Sequence, residues 1–295
     1  MRKKIYFIVR HISQQKFMRL KKTISTQANK HLVEFEILKS TYSGHALKLT
    51  KKAIEEKADA VVACGGDGTI NEIARVLVDK QIPLGIIPIG SGNGIAGHFC
   101  IPSNLSDATN IIFNGYSTKI DLGFFDEKYF LGNLGFGIES TFIKNYNKKG
   151  LHGFFAYCIA FFKAINSFSY PKLKIEWQGN KMEVEPLVLL FSNLNQQGYN
   201  FTLTPYANSN DGNLDMVYIE KSNIFQVLKF LIFIIQGKEI KSKEVHRLQF
   251  SKMKITNLKE ESIEYEIDGE FFKTRKKSLE IRVFSKKLSL IVPDS

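Results

Sequence analysis

The chain has 295 residues, 44% of them hydrophobic, and sets 41 basic side chains against 29 acidic ones for a formal charge of +12. Such a length and apolar content exclude a disordered chain and predict a buried core shared between two domains. The basic balance favours partners that carry phosphate or an anionic surface, namely nucleotide, acidic lipid or nucleic acid. Nucleic acid is disfavoured because no basic-aromatic recognition motif accompanies the charge. Cys64, Cys100 and Cys158 are odd in number, share no metal-ligand spacing and fall in apolar stretches, so they read as reduced core thiols of a cytoplasmic protein. The start MRKKIYFIVRHIS is basic but has only about five apolar residues, too few for a signal-peptide core. The longest apolar run, Phe225 to Ile235, is interrupted by Gln226 and Lys229 and is shorter than the roughly 20 residues of a membrane span.

In chain order, Ile5 to Val9 predicts a first strand, and Phe17, Leu20, Ile24 and Ala28 mark a basic helix. VEFEIL is the second strand, followed by a helix holding Ala46, Leu49, Ala53 and Ile54. The β-branched run Val61 to Cys64 then meets Gly65, Gly66, Asp67, Gly68 and Thr69, after which Ile70, Ile73, Ala74, Leu77 and Val78 recur at helical spacing. LGII at 84–87 is a further strand and Leu105 to Phe113 a further helix. This alternation predicts an α/β fold with a Rossmann-like first domain, a parallel sheet covered by helices, and ligands at the carboxyl ends of its strands. From about Tyr116 the pattern changes to short alternating strands with turn signals, among them KIDLGFF, YFLGNLGFGIE, KLKIEW, LDMVYIE and IEYEI. Residues 1–118 are therefore assigned to the α/β domain and 119–295 to a β-rich, antiparallel sandwich-like domain. Whether the last strand, near 286–293, returns to the first domain is left open.

Glycines between a strand and a helix let backbone N–H groups approach phosphate, and the helix start adds partial positive charge. The alternative for Gly65 to Thr69 is a plain tight turn, with Thr69-Ile70-Asn71-Glu72 as a capping box. A second turn, Gly90-Ser91-Gly92-Asn93-Gly94, ends the next βα unit, and two such turns can face one polyphosphate site. Gly92 to Gly97 also matches the dinucleotide fingerprint, but a lone match is weak and hydride transfer is disfavoured. Asp67 would repel phosphate unless Mg²⁺ stood between them, and otherwise caps the following helix. Thr41 and Ser43 reach toward the same strand ends, with capping by Ser43 as the alternative, and His45 reads as a helix-start residue. Asp121 either orients a polar substrate group or bonds a nearby backbone. The turn from Asn208 to Asn213, with Asp211, is a loop or a hard-cation site, and Asp268-Gly269-Glu270 is a hairpin turn.

Taken in order, GGDGT at 65–69, GSGNG at 90–94, DLGFF at 121–125, NDGNLD at 210–215 and DGE at 268–270 resemble the diacylglycerol kinase catalytic-domain superfamily, which includes bacterial lipid kinases, sphingosine kinases and ceramide kinases. The resemblance implies an ATP-dependent lipid kinase transferring the γ-phosphate to the hydroxyl of diacylglycerol, a sphingoid base or ceramide. It implies ATP bound between the domains by Thr41, Gly65, Gly66, Asp67, Gly68, Thr69, Asn71, Gly90, Ser91, Gly92 and Asn93. Glu270 is implied as the base, supported by Asp268 and Asp121. Asp67 is implied to act on the nucleotide's Mg²⁺, and Asp211 with the carbonyls of Asn208 and Asn213 to hold a structural Mg²⁺. One base, Mg²⁺ and glycine-loop donors suffice for phosphoryl transfer.

The chain departs from that pattern after the first strand, where Arg10-His11 stands in place of Asn-Pro. Arg10 then binds phosphate itself, or nucleotide affinity is reduced. Phe154, Phe155, Tyr157, Phe161 and Phe162, and the run Phe225 to Ile235, are acyl-chain contacts or, on the bland reading, core. The charge favours peripheral docking at the inner, anionic membrane face of the cytoplasm; a homodimer is an open alternative. NAD kinase, and a nucleotide- or lipid-binding regulator without turnover, are the competing functions.

Overall fold

The computed structural model describes residues 3–147, 163–165, 167–198, 202–222, 226, 230, 233 and 242–294. The aromatic stripe at Phe154 to Phe162, Cys158 and nearly all of the run Phe225 to Ile235 lie outside the described residues. Two compact units form, one of Met1–Ile120 with Ser285–Ser295 and one of Asp121–Phe284.

In the first unit, β1 (Lys4–Arg10), α1 (Gln14–His31), β2 (Glu34–Ser40), α2 (His45–Glu55), β3 (Ala60–Gly65), α3 (Asp67–Leu77) and β4 (Leu84–Pro88) alternate without interruption. α4 (Gly94–His98) and α5 (Leu105–Asn114) follow. The strands pair in parallel in the order β2-β1-β3-β4, with Ile8 opposite both Leu38 and Ala63. Every residue of β3 and β4 is buried. That is why their sequences read as continuous apolar runs rather than alternating ones, as a parallel strand covered on both faces must. All carboxyl ends of a parallel sheet lie at one edge, so Ser40, Gly65 and Pro88 deliver the loops of interest together.

The second unit is antiparallel. β5 (Tyr116–Phe125) leads into it, followed by β6 (Lys128–Phe130), β7 (Asn133–Gly137), α6 (Ile138–Asn147), β8 (Leu173–Trp177), β9 (Asn180–Val184), β10 (Val188–Ser192) and β11 (Leu214–Ile219). β12 (Val245–Phe250), β13 (Lys252–Asn257), β14 (Ile263–Ile267), β15 (Glu270–Thr274) and β16 (Ser278–Val292) complete it. One sheet runs β12-β11-β10-β7-β14-β15, and a second layer contains β16-β13-β8-β9. Phe136, Phe191, Met216 and Tyr265 of the first layer and Ile175, Met253, Ile255 and Ile281 of the second share one core, which makes the unit a sandwich. β16 is long enough to pair with β13 through Ser278 to Arg282 and then, at Leu290, in parallel with Leu84 of β4.

Three local expectations change. YFLGNLGFGIE is two strands broken at Leu131–Gly132, followed by the helix α6, because the backbone at the break bonds to a side chain instead of a strand. Thr69 does not cap α3, which already begins at Asp67 with Gly66 as its N-cap. Cys100 is exposed rather than a core thiol, whereas Cys64 is buried.

The two glycine turns of the first unit touch. A Cβ on Gly90 would stand 2.5 Å from the Gly66 Cα, and one on Gly66 3.1 Å from the Gly90 Cα. Gly90→Ala is therefore expected to cost about 1–3 kcal/mol, the usual range for overpacking, and to lower the thermal unfolding midpoint; an unchanged midpoint would contradict the contact.

Candidate active site

In the first unit α3 sends a carboxylate to each neighbouring turn. Asp67, in its first turn, accepts from the N–H groups of Gly94 and Ile95, both at 3.1 Å. Glu72, one turn on, accepts from Gly44 N–H at 2.8 Å and Ala46 N–H at 3.1 Å. The starts of α4 and α2 thus lack side-chain caps of their own and are capped from α3. The Asp67 carboxylate therefore caps α4 and not α3, the helix that follows it in the chain. Burial pushes the Asp67 carboxyl up, against the opposing pull of the two amides.

Thr41 and the helix-start residue His45 bond to each other, His45 Nδ1 lying 3.2 Å from both the Thr41 N and Oγ1. Asn93 adopts a left-handed conformation, φ 48°, and its amide donates to the Gly90 carbonyl. Ser91 is exposed, Gly68 faces open space, and Asn71 is buried in α3. Thr41, Gly65 to Asn71 and Gly90 to Asn93 thus all lie at or just beyond the carboxyl ends of β2, β3 and β4.

The second unit builds its constellation on a hairpin. Asp268 and Gly269, with φ of 49° and 80°, form the two-residue turn between β14 and β15, the geometry Asp-Gly favours. The Asp268 carboxylate accepts from three successive backbone N–H groups, Leu131 at 2.9 Å, Gly132 at 2.8 Å and Asn133 at 3.0 Å. Glu270 follows as the exposed first residue of β15. Asp121, only 1% exposed, accepts from Gly212 N–H at 2.8 Å, while its own N–H donates to the Ser209 carbonyl at 2.7 Å. The buried Asn193 amide donates to the carbonyls of both Asp121 and Leu131. Asn193 therefore joins the Asp121 and Asp268 clusters, and its sequence context carries no signal for that role.

In the 208–213 loop, Asn208 Oδ1 accepts from Asn210 N–H at 3.1 Å, and Asp211 Oδ1 accepts from Asn213 N–H at 2.9 Å. Asp215 stands nearby, its carboxyl pushed up by burial and by the charge of Asp211.

Two acidic residues beside the hairpin escape sequence reasoning. Glu266 on β14 is buried and accepts from Gly269 N–H at 2.9 Å. Glu139 on α6 encloses both carboxylate oxygens without a partner among the described residues. Both approach the same point over Gly135, Glu266 Oε1 to 2.9 Å and the Glu139 Cβ to 3.0 Å. Burial raises both carboxyls: Glu266 is pushed up to about 8, with the charge of Asp268 adding to the effect, and Glu139 well above the ordinary range, with the charge of Glu266 adding to it. The alternation of IEYEI puts Glu266 and Glu264 on one face, but only the packing of α6 buries one of them.

The family described as diacylglycerol kinase catalytic domain matches residues 4–125, and that described as YegS C-terminal NAD kinase beta sandwich-like domain matches residues 132–292. A diacylglycerol kinase of Staphylococcus aureus strain JH9 is 30% identical over 234 residues, 77% of this chain and 73% of the relative. The chain belongs to the diacylglycerol kinase family. It is a lipid kinase, and ATP is its phosphate donor. The enzyme of S. aureus strain bovine RF122 is 29% identical over 233 residues, with the same coverage. A crystal structure of a diacylglycerol kinase from Bacillus anthracis shares the fold of the kinase, with a TM-score of 0.76 at 18% identity over 98% of this chain and 96% of that one.

The raised Glu266 carboxyl gives the kinase a pH-dependent stability. The unfolded chain loses this proton near 4.5 and the folded chain near 8, so folding takes up a proton between them and stability falls as pH rises through that window. Glu266→Gln keeps an acceptor for Gly269 but cannot ionise. Its unfolding midpoint is expected to exceed that of the wild type by a margin that grows from pH 5 to pH 8 and vanishes at pH 4; a margin independent of pH would refute the assignment.

Proposed function

We propose that the kinase phosphorylates diacylglycerol at an anionic membrane surface, with the first unit holding the nucleotide and Glu270 of the second acting as base. The observation that carries this reading is the hairpin clamp. Three amides hold Asp268 rigidly, and the next turn residue leads directly to a solvent-facing carboxylate. Asp268 is then a positioning residue, since its charge is spent on backbone N–H groups, and Asp121 with Asn193 braces the loop it grips. Glu270 receives the hydroxyl proton as the lipid oxygen attacks the γ-phosphorus and the bond to ADP breaks. Gly65 to Asn71 and Gly90 to Asn93 place the phosphates, and Thr41 borders them.

Mg²⁺ fits the donor set. Asp67 takes the Gly94 and Ile95 amides on different oxygens and also bonds its own backbone N–H, and the roughly four lone-pair sites of a carboxylate leave capacity for a water-mediated role on the nucleotide's metal. When bound, the ion would neutralise charge on the phosphates. A second ion is proposed at Asp211 with the Asn208 and Asn213 carbonyls, where Asp215 adds a carboxylate. Among the described residues no helix is long and apolar enough to cross a membrane, which is consistent with docking from one side. Lys and Arg would contribute roughly 1 kcal/mol each near anionic lipid.

Glu270→Gln is expected to lower kcat for diacylglycerol by about 10²–10⁴ with KM for ATP unchanged, measured with labelled ATP and vesicles. Sphingosine, ceramide and NAD in parallel reactions identify the acceptor, and wild-type turnover in the variant would sink the assignment of the base. Mg²⁺ titrated into nucleotide-free protein is expected to raise its unfolding midpoint through the second site. Asp211→Asn should abolish that rise, and a rise that survives the substitution would place the ion elsewhere.

A further inference from the structure

We infer that Arg10 is a nucleotide-binding residue of this kinase, a guanidinium that neutralises the polyphosphate over the Gly65 to Thr69 turn. The inference rests on the nucleotide half of the reading above. Arg10 is the last residue of β1, a strand flanked by β2 and β3, so it emerges between Ser40 and the Gly65-Gly66 turn. Its side chain crosses toward that turn, with Nη1 only 3.8 Å from where a Gly66 Cβ would stand. Arg10 also lines a cavity of about 320 Å³ with Ser13, Lys39, Ser40 and Thr41.

Charge accounting singles out this residue. Of the three helix starts nearest the strand ends, α2 and α4 have N–H groups occupied by the carboxylates of Glu72 and Asp67. Those carboxylates bring negative charge into the neighbourhood where a tri-anionic or tetra-anionic ligand must sit. The start of α3 offers a partial charge of about half a unit, and the Mg²⁺ proposed above would offset only part of the combined charge of ligand and carboxylates. Lys39 is partly committed, its Nζ standing 4.0 Å from the centre of the Phe17 ring. Arg10 is exposed, and among the described residues its side chain makes no ion pair or hydrogen bond. A free guanidinium in a solvated position is unremarkable by itself. One that stands close to a glycine turn and on the wall of a cavity offers a fork of donors matched to a phosphate.

Calorimetry with ADP and with ATP tests this without any lipid acceptor. Loss of one charge-assisted contact predicts that Arg10→Ala weakens both nucleotides by about 10- to 100-fold. Arg10→Lys should recover part of the affinity, as a point charge without the fork. Inorganic tripolyphosphate should displace ADP from the wild type at lower concentration than from Arg10→Ala. The gap between the two proteins should narrow as salt is raised, because Arg10 is exposed. In turnover the loss should fall on KM for ATP, with kcat held. Arg10→Gln provides an uncharged variant of similar length should the alanine variant be unstable. Wild-type ADP affinity in both Arg10→Ala and Arg10→Gln would overturn the inference while leaving the kinase reading intact. Weakened ADP binding in a protein whose wild type phosphorylates no lipid would uphold Arg10 and overturn the proposed acceptor.

Discussion

The bonds from Asp67 to the first N–H groups of α4 are the constraint on which the arrangement of the first unit's glycine turns depends. They let the β3–α3 turn and the β4–α4 turn sit with Gly66 and Gly90 in backbone contact, where either side chain would intrude. Glu72 repeats the device one helical turn later, on α2. α3 therefore works as a strut: its packed face, Ile70, Ile73, Ala74 and Leu77, seats it in the core, and its two acids fix the loops on either side. Capping of this kind supplies the backbone satisfaction that two short helix starts would otherwise lack.

The second unit solves the same problem with an acid and a strand break. Asp268 holds three amides of the β6–β7 connection, so an Asp-Gly hairpin, ordinarily a surface turn, becomes anchored to the sandwich. Asn193 extends the anchor to Asp121. Both units use a carboxylate against consecutive backbone N–H groups to fix a loop. Asp67 and Asp268 each fix a loop through backbone N–H groups, whereas Glu270, the residue after the turn, is exposed.

Much of the fold was legible because its causes are local. Continuous apolar runs at β3 and β4 require burial on both faces, and the alternation with helices then requires a parallel sheet. Asp268-Gly269 announced its hairpin through the φ values that only a few residues accept. The strand break at Leu131–Gly132 was not legible, since its cause is a side chain 136 or 137 positions away. The buried pair Glu139 and Glu266 was hidden for the same reason: an acid on an alternating strand looks solvent-facing until a helix covers it.

The sequence by itself determined the order of elements, the change from α/β to β-rich character and the five short motifs that mark a diacylglycerol kinase, because each depends on residues close together in the chain. Tertiary structure decided what the acids in those motifs touch. A carboxylate has the same composition and spacing whether it faces Mg²⁺, a helix start or another acid; the partner that sets its charge and its work is brought to it only by packing. GGDGT was thus readable from its glycines alone as a phosphate turn or a plain tight turn, whereas the attachment of its aspartate to α4, and the position of Arg10 near Gly66, belong to the folded chain.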